Sequence, residues 1–361
     1  MIGVTDISKY VNATEFLVTA TKALHSHSVE SLLEKLPIVS ENDYIFRPGD
    51  HADGWREGYL HWFPVGAERG NAGRIKLAGS PENPIAERTV NAFEAIIELM
   101  RQIEIRKFPS NQPPQNPREA VARYFDLPLL SEIPKLGQPI RGEKPSKYIR
   151  QLAAAIRVRL VRGGSPSEYS VTIEDDGIGQ QASRIHSTLL SLGQSDKGDK
   201  NYMIGVFGQG GSSAYSVSKY SWVISRRHPD VLDGAPDGIG WTVIKHVYPK
   251  GRRDDYFAYL AAHPDGRVPV LPASAAERIS FKHGTTFAHI GYDFGKTEPA
   301  RRLYSSLNHL LFNPVLPYEL YTRPDRRADP MYGNGYRLSR ASKQQPEWLD
   351  KLFRNQIVEA K

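Results

Sequence analysis

Residues 169–179 read Tyr169-Ser170-Val171-Thr172-Ile173-Glu174-Asp175-Asp176-Gly177-Ile178-Gly179. Tyr169, Val171 and Ile173 alternate with Ser170 and Thr172, the period-two pattern of a strand with one buried face. Two aspartates and two glycines follow at once. Glycines two apart let the backbone turn sharply and let a flat ligand come close, while a carboxylate beside them can accept a hydrogen bond from an amino group. The stretch predicts a strand that delivers an acidic, glycine-bounded loop. The same tetrapeptide returns as Asp237-Gly238-Ile239-Gly240, between Pro236 and the predicted strand Trp241-Thr242-Val243-Ile244. An ordinary hairpin turn accounts for that copy, and no function is assigned to it.

Working outward, residues 155–161 alternate in the same way. Across Gly163-Gly164-Ser165-Pro166 they pair with 169–173 as a hairpin. Further strands are expected at 220–225, 241–247 and 285–290, and helices at 182–192, 211–218 and 300–312. Ser80-Pro81-Glu82-Asn83-Pro84 reads as a helix start, with Ser or Asn as cap and proline where no amide is required. That helix is expected to run to about Arg106, with Phe93, Ile96, Ile97, Met100 and Ile103 on its buried side. Glu87, Asn91, Glu94 and Glu98 form one stripe along it. A stripe of this kind is ordinarily a solvated face.

Residues 17–36 carry helix-like apolar spacing. The segment 107–147 holds prolines at 109, 113, 114, 117, 128, 134, 139 and 145. It cannot be a continuous helix or a central strand, and it reads as an insertion or linker crossing the surface.

Composition sets the outer bounds. The chain has 361 residues, room for two or three domains or one large one, with 40% hydrophobic and 24% charged residues, as in ordinary globular proteins. Lys and Arg number 47 against 40 Asp and Glu, a net charge of +7 that suits nucleic acid or nucleotide phosphate and specifies neither. There is no cysteine. Disulfides, thiolate zinc sites, iron–sulfur clusters and a cysteine nucleophile are therefore excluded. The first ten residues lack the basic-then-apolar pattern of a signal peptide, and no run approaches the roughly 18 apolar residues of a membrane helix. A cytoplasmic chain without membrane segments is expected.

A second glycine cluster lies in Ile204-Gly205-Val206-Phe207-Gly208-Gln209-Gly210-Gly211-Ser212-Ser213-Ala214-Tyr215-Ser216-Val217. Four glycines leading into a helix bring free amides and the positive helix end to one place, which is how phosphate is bound. No Gly-Lys-Ser/Thr follows, so it is not a Walker loop, and it does not fit a dinucleotide fingerprint. A flexible glycine loop is the plain alternative for this segment alone.

Taken in order, these segments resemble the GHKL ATPases, the superfamily of DNA gyrase, the ninety-kilodalton heat-shock chaperone, MutL and the histidine kinases. Residues 87–95 resemble that family's N-box, 175–179 its adenine-binding box, 204–215 its second glycine box, and His283-Gly284-Thr285-Thr286 its final Gly-Thr element. The second glycine box is most similar to the chaperone's. Leu192-Gly193-Gln194-Ser195-Asp196-Lys197 is similar to the lid of the chaperone and of MORC-type ATPases.

The resemblance covers about residues 80–315. It implies a Bergerat fold: an α+β two-layer sandwich with a mixed, largely antiparallel sheet and helices on one face. The division it implies is an N-terminal extension (1–80), an ATP-binding domain (81–315) with an insertion at 107–147, and a tail or the start of a transducer region (316–361).

The resemblance also implies residue roles. Asp175 accepts a hydrogen bond from the adenine amino group, assisted by Thr285 through water, while Gly177, Ile178 and Gly179 shape the base pocket. Asn91 completes the shell of Mg²⁺, which bridges the phosphates of ATP. The segment Gly205, Val206, Phe207, Gly208, Gln209, Gly210 and Gly211 holds the phosphates, Lys197 reaches them from the lid, and Glu87 is the general base for water.

The implied partners are ATP, a second copy of the chain joined on ATP binding, and DNA or a client protein; no membrane is implied. A non-catalytic ATP-sensing module and a chaperone-like remodeller are the alternatives. A histidine kinase fits less well, because no upstream helix with a phosphoacceptor histidine is seen. Three departures stand out. Asn91 and Asp175 are 84 residues apart, more than the family's usual spacing. Glu94 replaces an aspartate. About 70 residues follow Ile290, too few for the second domain that supplies a Lys or Arg to the terminal phosphate. A piece of a longer chain, or a partner completing the site, is the expectation.

Overall fold

The computed structural model describes residues 13–20, 25–43, 46, 54–75, 80–127, 130, 147–163, 168–192, 200–204, 210–251, 255–295, 298–323, 328 and 330–344. Its strands are β1 (His61–Pro64), β2 (Ile156–Arg162), β3 (Tyr169–Asp175), β4 (Tyr220–Arg226), β5 (Gly238–Val247), β6 (Tyr256–Ala261), β7 (Val270–Pro272), β8 (Gly284–Ile290), β9 (Tyr318–Tyr321) and β10 (Pro330–Met331). They form one ten-stranded sheet in the order β1-β6-β5-β4-β8-β3-β2-β9-β10, with β7 beside β5. The β2–β9 pairing is parallel and the other described pairings are antiparallel.

The predicted hairpin forms as β2 and β3, with Ile156 opposite Asp175 and Arg162 opposite Tyr169. The strands expected at 220–225, 241–247 and 285–290 appear as β4, β5 and β8. The second Asp-Gly-Ile-Gly copy is not a hairpin turn: Gly238, Ile239 and Gly240 are the first residues of β5. Asp237, just outside, is held by Arg226, Nε to Oδ1 at 2.9 Å and Nη2 to Oδ2 at 2.7 Å.

The helices are α1 (Ala13–Ala20), α2 (Ser26–Leu33), α3 (Glu82–Lys107), α4 (Pro117–Phe125), α5 (Lys147–Ala154), α6 (Pro299–Leu310) and α7 (Gly333–Gln344). On one face of the sheet, Ile85, Phe93 and Ile97 of α3 pack on Val158, Leu160, Val171 and Ile173, together with Leu303 and Leu307 of α6. On the other face, Leu17 of α1 and Val29 and Leu32 of α2 pack on Trp62, Trp222, Trp241 and Leu260. Helices therefore cover both faces, not one. The apolar spacing in 17–36 belongs to two short helices packed against the sheet, where burial outweighs their weak intrinsic stability.

Other differences have local causes. Pro81 takes the capping position of α3 with no side-chain cap; the Ser80 hydroxyl donates to the Glu82 carboxylate. The proline-rich segment does not simply cross the surface. It contains α4, capped by Asn116, whose side chain accepts the Glu119 amide at 2.9 Å, with Pro117 at the first position. Ala120, Val121, Leu127 and Leu130 of that segment are buried in the core. Of the helices expected at 182–192 and 211–218, the described turns are 3-10 helices, Ala182–Ser187 and Gly210–Val217. Strands from outside 81–315 join the same sheet: β1 pairs with β6, and β9 and β10 extend it beyond β2. Among the described residues no helix is long and apolar enough to cross a membrane.

Candidate functional site

Strand alternation decides which of the two aspartates enters the site. Val171, Ile173 and Asp175 share the face toward α3, and Glu174 and Asp176 turn the other way. Asp176 accepts two hydrogen bonds from Arg157, at 2.8 and 3.0 Å, and Glu174 accepts a third at 2.9 Å. Among the described residues Asp175 has no such counter-charge in contact. It is 8% exposed, and its Oδ1 accepts the Gly177 amide at 2.9 Å. Burial pushes its carboxyl up to about 7; the Gly177 and Thr285 amides pull it down and the Asp176 charge pushes it further up.

The loop after Asp175 is fixed from three sides. The Ile178 amide donates to the Ala95 carbonyl of α3 at 2.9 Å, and the Ile178 carbonyl accepts the His228 amide at 2.8 Å. Gly177 leaves no room for a side chain: a Cβ there would lie 2.6 Å from Ala95 Cβ. Gly179 has φ +62°, and a Cβ would fall 1.9 Å from the Arg226 carbonyl oxygen. The Ser225 hydroxyl accepts the Gln180 amide at 2.9 Å, donates to the Gly284 carbonyl at 3.0 Å, and lies 2.9 Å from the Thr285 hydroxyl. The His283 Nδ1 sits 3.0 Å from the Gly177 carbonyl. A carbonyl only accepts, so that nitrogen carries the proton. Thr285 stands opposite Asp175 in the register of β8 against β3 and is buried.

The stripe on α3 is not a solvated face. Glu87 and Asn91 are half-buried, and Glu94 and Glu98 are 3% and 7% exposed. Glu94 accepts the Ile204 amide at 2.7 Å. Glu98 accepts the Lys200 ammonium at 2.8 Å and the Tyr202 hydroxyl at 2.9 Å. The helix thereby anchors residues 200–204, which run directly into the glycine cluster. Gly210 and Gly211 open the Gly210–Val217 helix, and Gly211 faces Arg88 of α3.

The structure ties the loop of Asp175, Gly177, Ile178 and Gly179 to Ala95 of α3, the helix that carries Glu87 and Asn91, sets Thr285 of β8 opposite Asp175, and sets Gly211 against Arg88 of the same helix. Lys197, Gly205, Val206, Phe207, Gly208 and Gln209 lie outside the described residues. Sequence reading gave no role to Ser225, His283 or Arg88. Ser225 carried no signal, and His283 was seen only as the start of the Gly-Thr element, because both act through backbone groups that folding brings near. Arg88 did carry one: a charge between Ile85 and Ala92 on the apolar stripe of a long helix.

The donor set suits one kind of ion. Among the described residues no group of three or more His, Cys, Asp or Glu side chains could hold a metal alone. Asn91 offers one amide oxygen, with Glu87 one turn away. Mg²⁺ takes one or two protein oxygens and completes its shell with phosphate and water, so these residues fit an ion that arrives with a phosphate chain.

Two other features are not part of this site. A cavity of about 540 Å³ lies on the opposite face of the sheet, over Trp222, Ile224 and Ala288; its carboxylates Glu174 and Asp176 are tied to Arg157. The sequence also holds basic clusters at Arg252-Arg253, Arg301-Arg302 and Arg323-Arg326-Arg327, where DNA contact would be expected; Arg302 is bound to Glu82, Nε to Oε1 at 2.5 Å, and Arg252, Arg253, Arg326 and Arg327 lie outside the described residues.

No family model matches the chain, and no curated protein matches it. The site's own chemistry is that of a buried hydrogen-bond acceptor beside a flat, glycine-lined loop, with a carboxylate and a carboxamide one helical turn apart on the facing helix.

Proposed function

We propose that this chain is an ATP-binding, Mg²⁺-dependent ATP-hydrolysing domain of the GHKL class, with a Bergerat fold extended by helices on the far face of its sheet. One observation carries the reading. Asp175 is a buried carboxyl without an ion-pair partner in contact among the described residues, fixed by a glycine loop that is bonded to the helix bearing Glu87 and Asn91. A buried carboxylate placed in this way suits an exocyclic amino group, which donates two hydrogen bonds and brings no charge of its own.

In this reading Asp175 receives the adenine amino group, and Gly177 and Gly179 let the loop close against Ala95 and Arg226 and so shape the wall of the base pocket. Thr285, bonded through Ser225, holds a bridging water. Mg²⁺, when bound with the phosphates, neutralises charge that develops on them. Asn91 supplies one of its oxygens, and Glu87 orients the attacking water and takes its proton, a contribution worth roughly 10²–10⁴-fold. Glu94 and Glu98 couple residues 200–204, the base of the lid, to the same helix. Nucleotide at the glycine cluster is then sensed by α3. The pairing of Glu87 with Asn91 supports hydrolysis over a purely sensing module.

ATP-driven dimerisation and a DNA or protein client rest on the resemblance alone. The packing of α1 and α2 on the sheet supports the N-terminal extension as a cover for that face rather than a dimerisation arm exchanged between copies. The tie between Arg302 and Glu82 removes one of the cations considered for DNA contact.

Titration of the chain and of Asp175→Asn with a non-hydrolysable ATP analogue tests the reading. The wild type is expected to bind, and the variant to bind about tenfold or more weakly, because a charged acceptor in a dry site is replaced by a neutral one. A wild type that fails to bind, or a variant of unchanged affinity, overturns it.

A further inference from the structure

Arg88 is 6% exposed. Its guanidinium carbon lies 3.5 Å from the centre of the Phe287 ring and 5.3 Å from that of Tyr215. Phe287 is two residues along β8 from Thr285, hence on the same face, so the guanidinium sits beside the Asp175 pocket. A third wall is Gly211, where a Cβ would lie 3.3 Å from Arg88 Nη1.

Among the described residues this cation has no anion beside it. No ion pair joins it to a carboxylate among the described residues, and its Nε is buried without a hydrogen-bond partner. The Tyr215 hydroxyl and His289 Nε2 nearby are also buried and unpartnered. His289 bonds the Ser221 hydroxyl at 2.8 Å through its other nitrogen. Burial and the Arg88 charge hold it well below the usual histidine range, so it adds no second cation. Arginine does not shed its proton to escape such a site, and a buried, unpaired charge is strongly unfavourable. Stacking on Phe287 offsets only part of that. The adjoining backbone is the start of the Gly210–Val217 helix, whose positive end adds to the potential there.

We propose that Arg88 and the start of the Gly210–Val217 helix form an anion-binding site that receives the phosphate chain of the bound nucleotide. The identity of that anion rests on reading the adjoining pocket as an ATP site. Arg88 is then a binding residue whose charge is compensated when ligand is present. The free protein is left with a destabilising cation at its centre, and phosphate-bearing ligands are selected over a bare nucleoside.

The test uses the full chain and three probes, Mg·ATP, adenosine and inorganic tripolyphosphate, titrated against wild type, Arg88→Met and Arg88→Lys. Methionine keeps the apolar contact with Phe287 and removes the charge; lysine keeps the charge and loses the planar fork. Arg88→Met is expected to weaken ATP and tripolyphosphate by roughly 10- to 100-fold, the size of charge-assisted hydrogen bonds. It is expected to move adenosine by less than about twofold and to leave the melting temperature unchanged or raised. Arg88→Lys falls between. If the methionine variant does not fold, the lysine variant carries the same comparison.

Arg88→Met binding ATP and tripolyphosphate as wild type does would overturn the proposal, as would an equal loss of adenosine and ATP, which marks a purely structural role. Arg88-dependent tripolyphosphate binding without any adenosine or ATP preference would sustain the anion site and refute the ATP reading. A wild type that binds none of the three overturns both.

Discussion

The backbone amide of Ile178 donates to the carbonyl oxygen of Ala95 at 2.9 Å. This bond ties the loop after Asp175 to the helix that carries Glu87 and Asn91, two segments more than 80 residues apart in the chain. Their separation along the chain is therefore no obstacle to a shared site. The intervening segment is accommodated by α4, whose Ala120 and Val121 reach the core.

Gly179 is where the chain least tolerates a side chain. Gly179→Ala combines a left-handed φ of +62° with a Cβ 1.9 Å from the Arg226 carbonyl. It is expected to lower stability by about 1–3 kcal/mol and to abolish nucleotide binding. The corresponding change in the second copy, Gly240→Ala, meets the side-chain end of Ile185 at 2.4 Å. It should cost stability and leave affinity intact in the folded fraction. Thermal melts with parallel titrations check this; equal effects of the two changes on affinity would contradict it.

Asp175 gives the protein a pH dependence of unusual sign. Its folded value is about 7 against 3.8 for the free side chain. Between those values the folded chain keeps a proton that the unfolded chain has released, so this group lowers stability as pH rises and the loss is complete above about 7. Asp175→Asn removes that loss. The stability of the variant relative to wild type should grow from pH 5 to 7 and then level off, with a ceiling of about 1.36 kcal/mol per pH unit. Denaturant melts across that range check it, and a difference that is flat or shrinks with pH would refute it.

Glu98 anchors the segment leading to the glycine cluster. Glu98→Ala leaves the Tyr202 hydroxyl, which burial and Glu98 push above its usual range, without its acceptor, and it frees Lys200. Lys200 is about one-third exposed, so the cost should stay near 1–2 kcal/mol. Hydrogen–deuterium exchange should accelerate selectively over 200–204. Unchanged exchange there would show that the anchor is not Glu98.

Much of the sheet was legible because its strands bury one face. The hairpin 155–173 and the strands in 220–225, 241–247 and 285–290 all announce themselves by alternation. β6 does not, because Tyr256-Phe257-Ala258-Tyr259-Leu260-Ala261 is buried throughout and has no polar side to mark its period. α4 was hidden by counting prolines rather than placing them: Asn116-Pro117 is a cap followed by a first-turn proline.

The site was legible in its parts and not in their setting. Composition cannot distinguish Glu94 and Glu98 from a solvated stripe, since their partners at 200–204 lie over 100 residues away in the chain. Within the repeated tetrapeptide the aspartates behave alike, Asp176 bound to Arg157 and Asp237 to Arg226; what sets the first copy apart is Asp175 before it, buried at the end of β3 by a pairing the sequence does not display.

The most direct test of the account is phosphate release from Mg·ATP by the purified chain beside Glu87→Ala, with ATP-analogue binding measured on the same samples. The account predicts turnover in the wild type, a loss of at least about 10²-fold in the variant, and equal analogue binding by both. Equal turnover in the two proteins, or a wild type that binds no analogue, would contradict it.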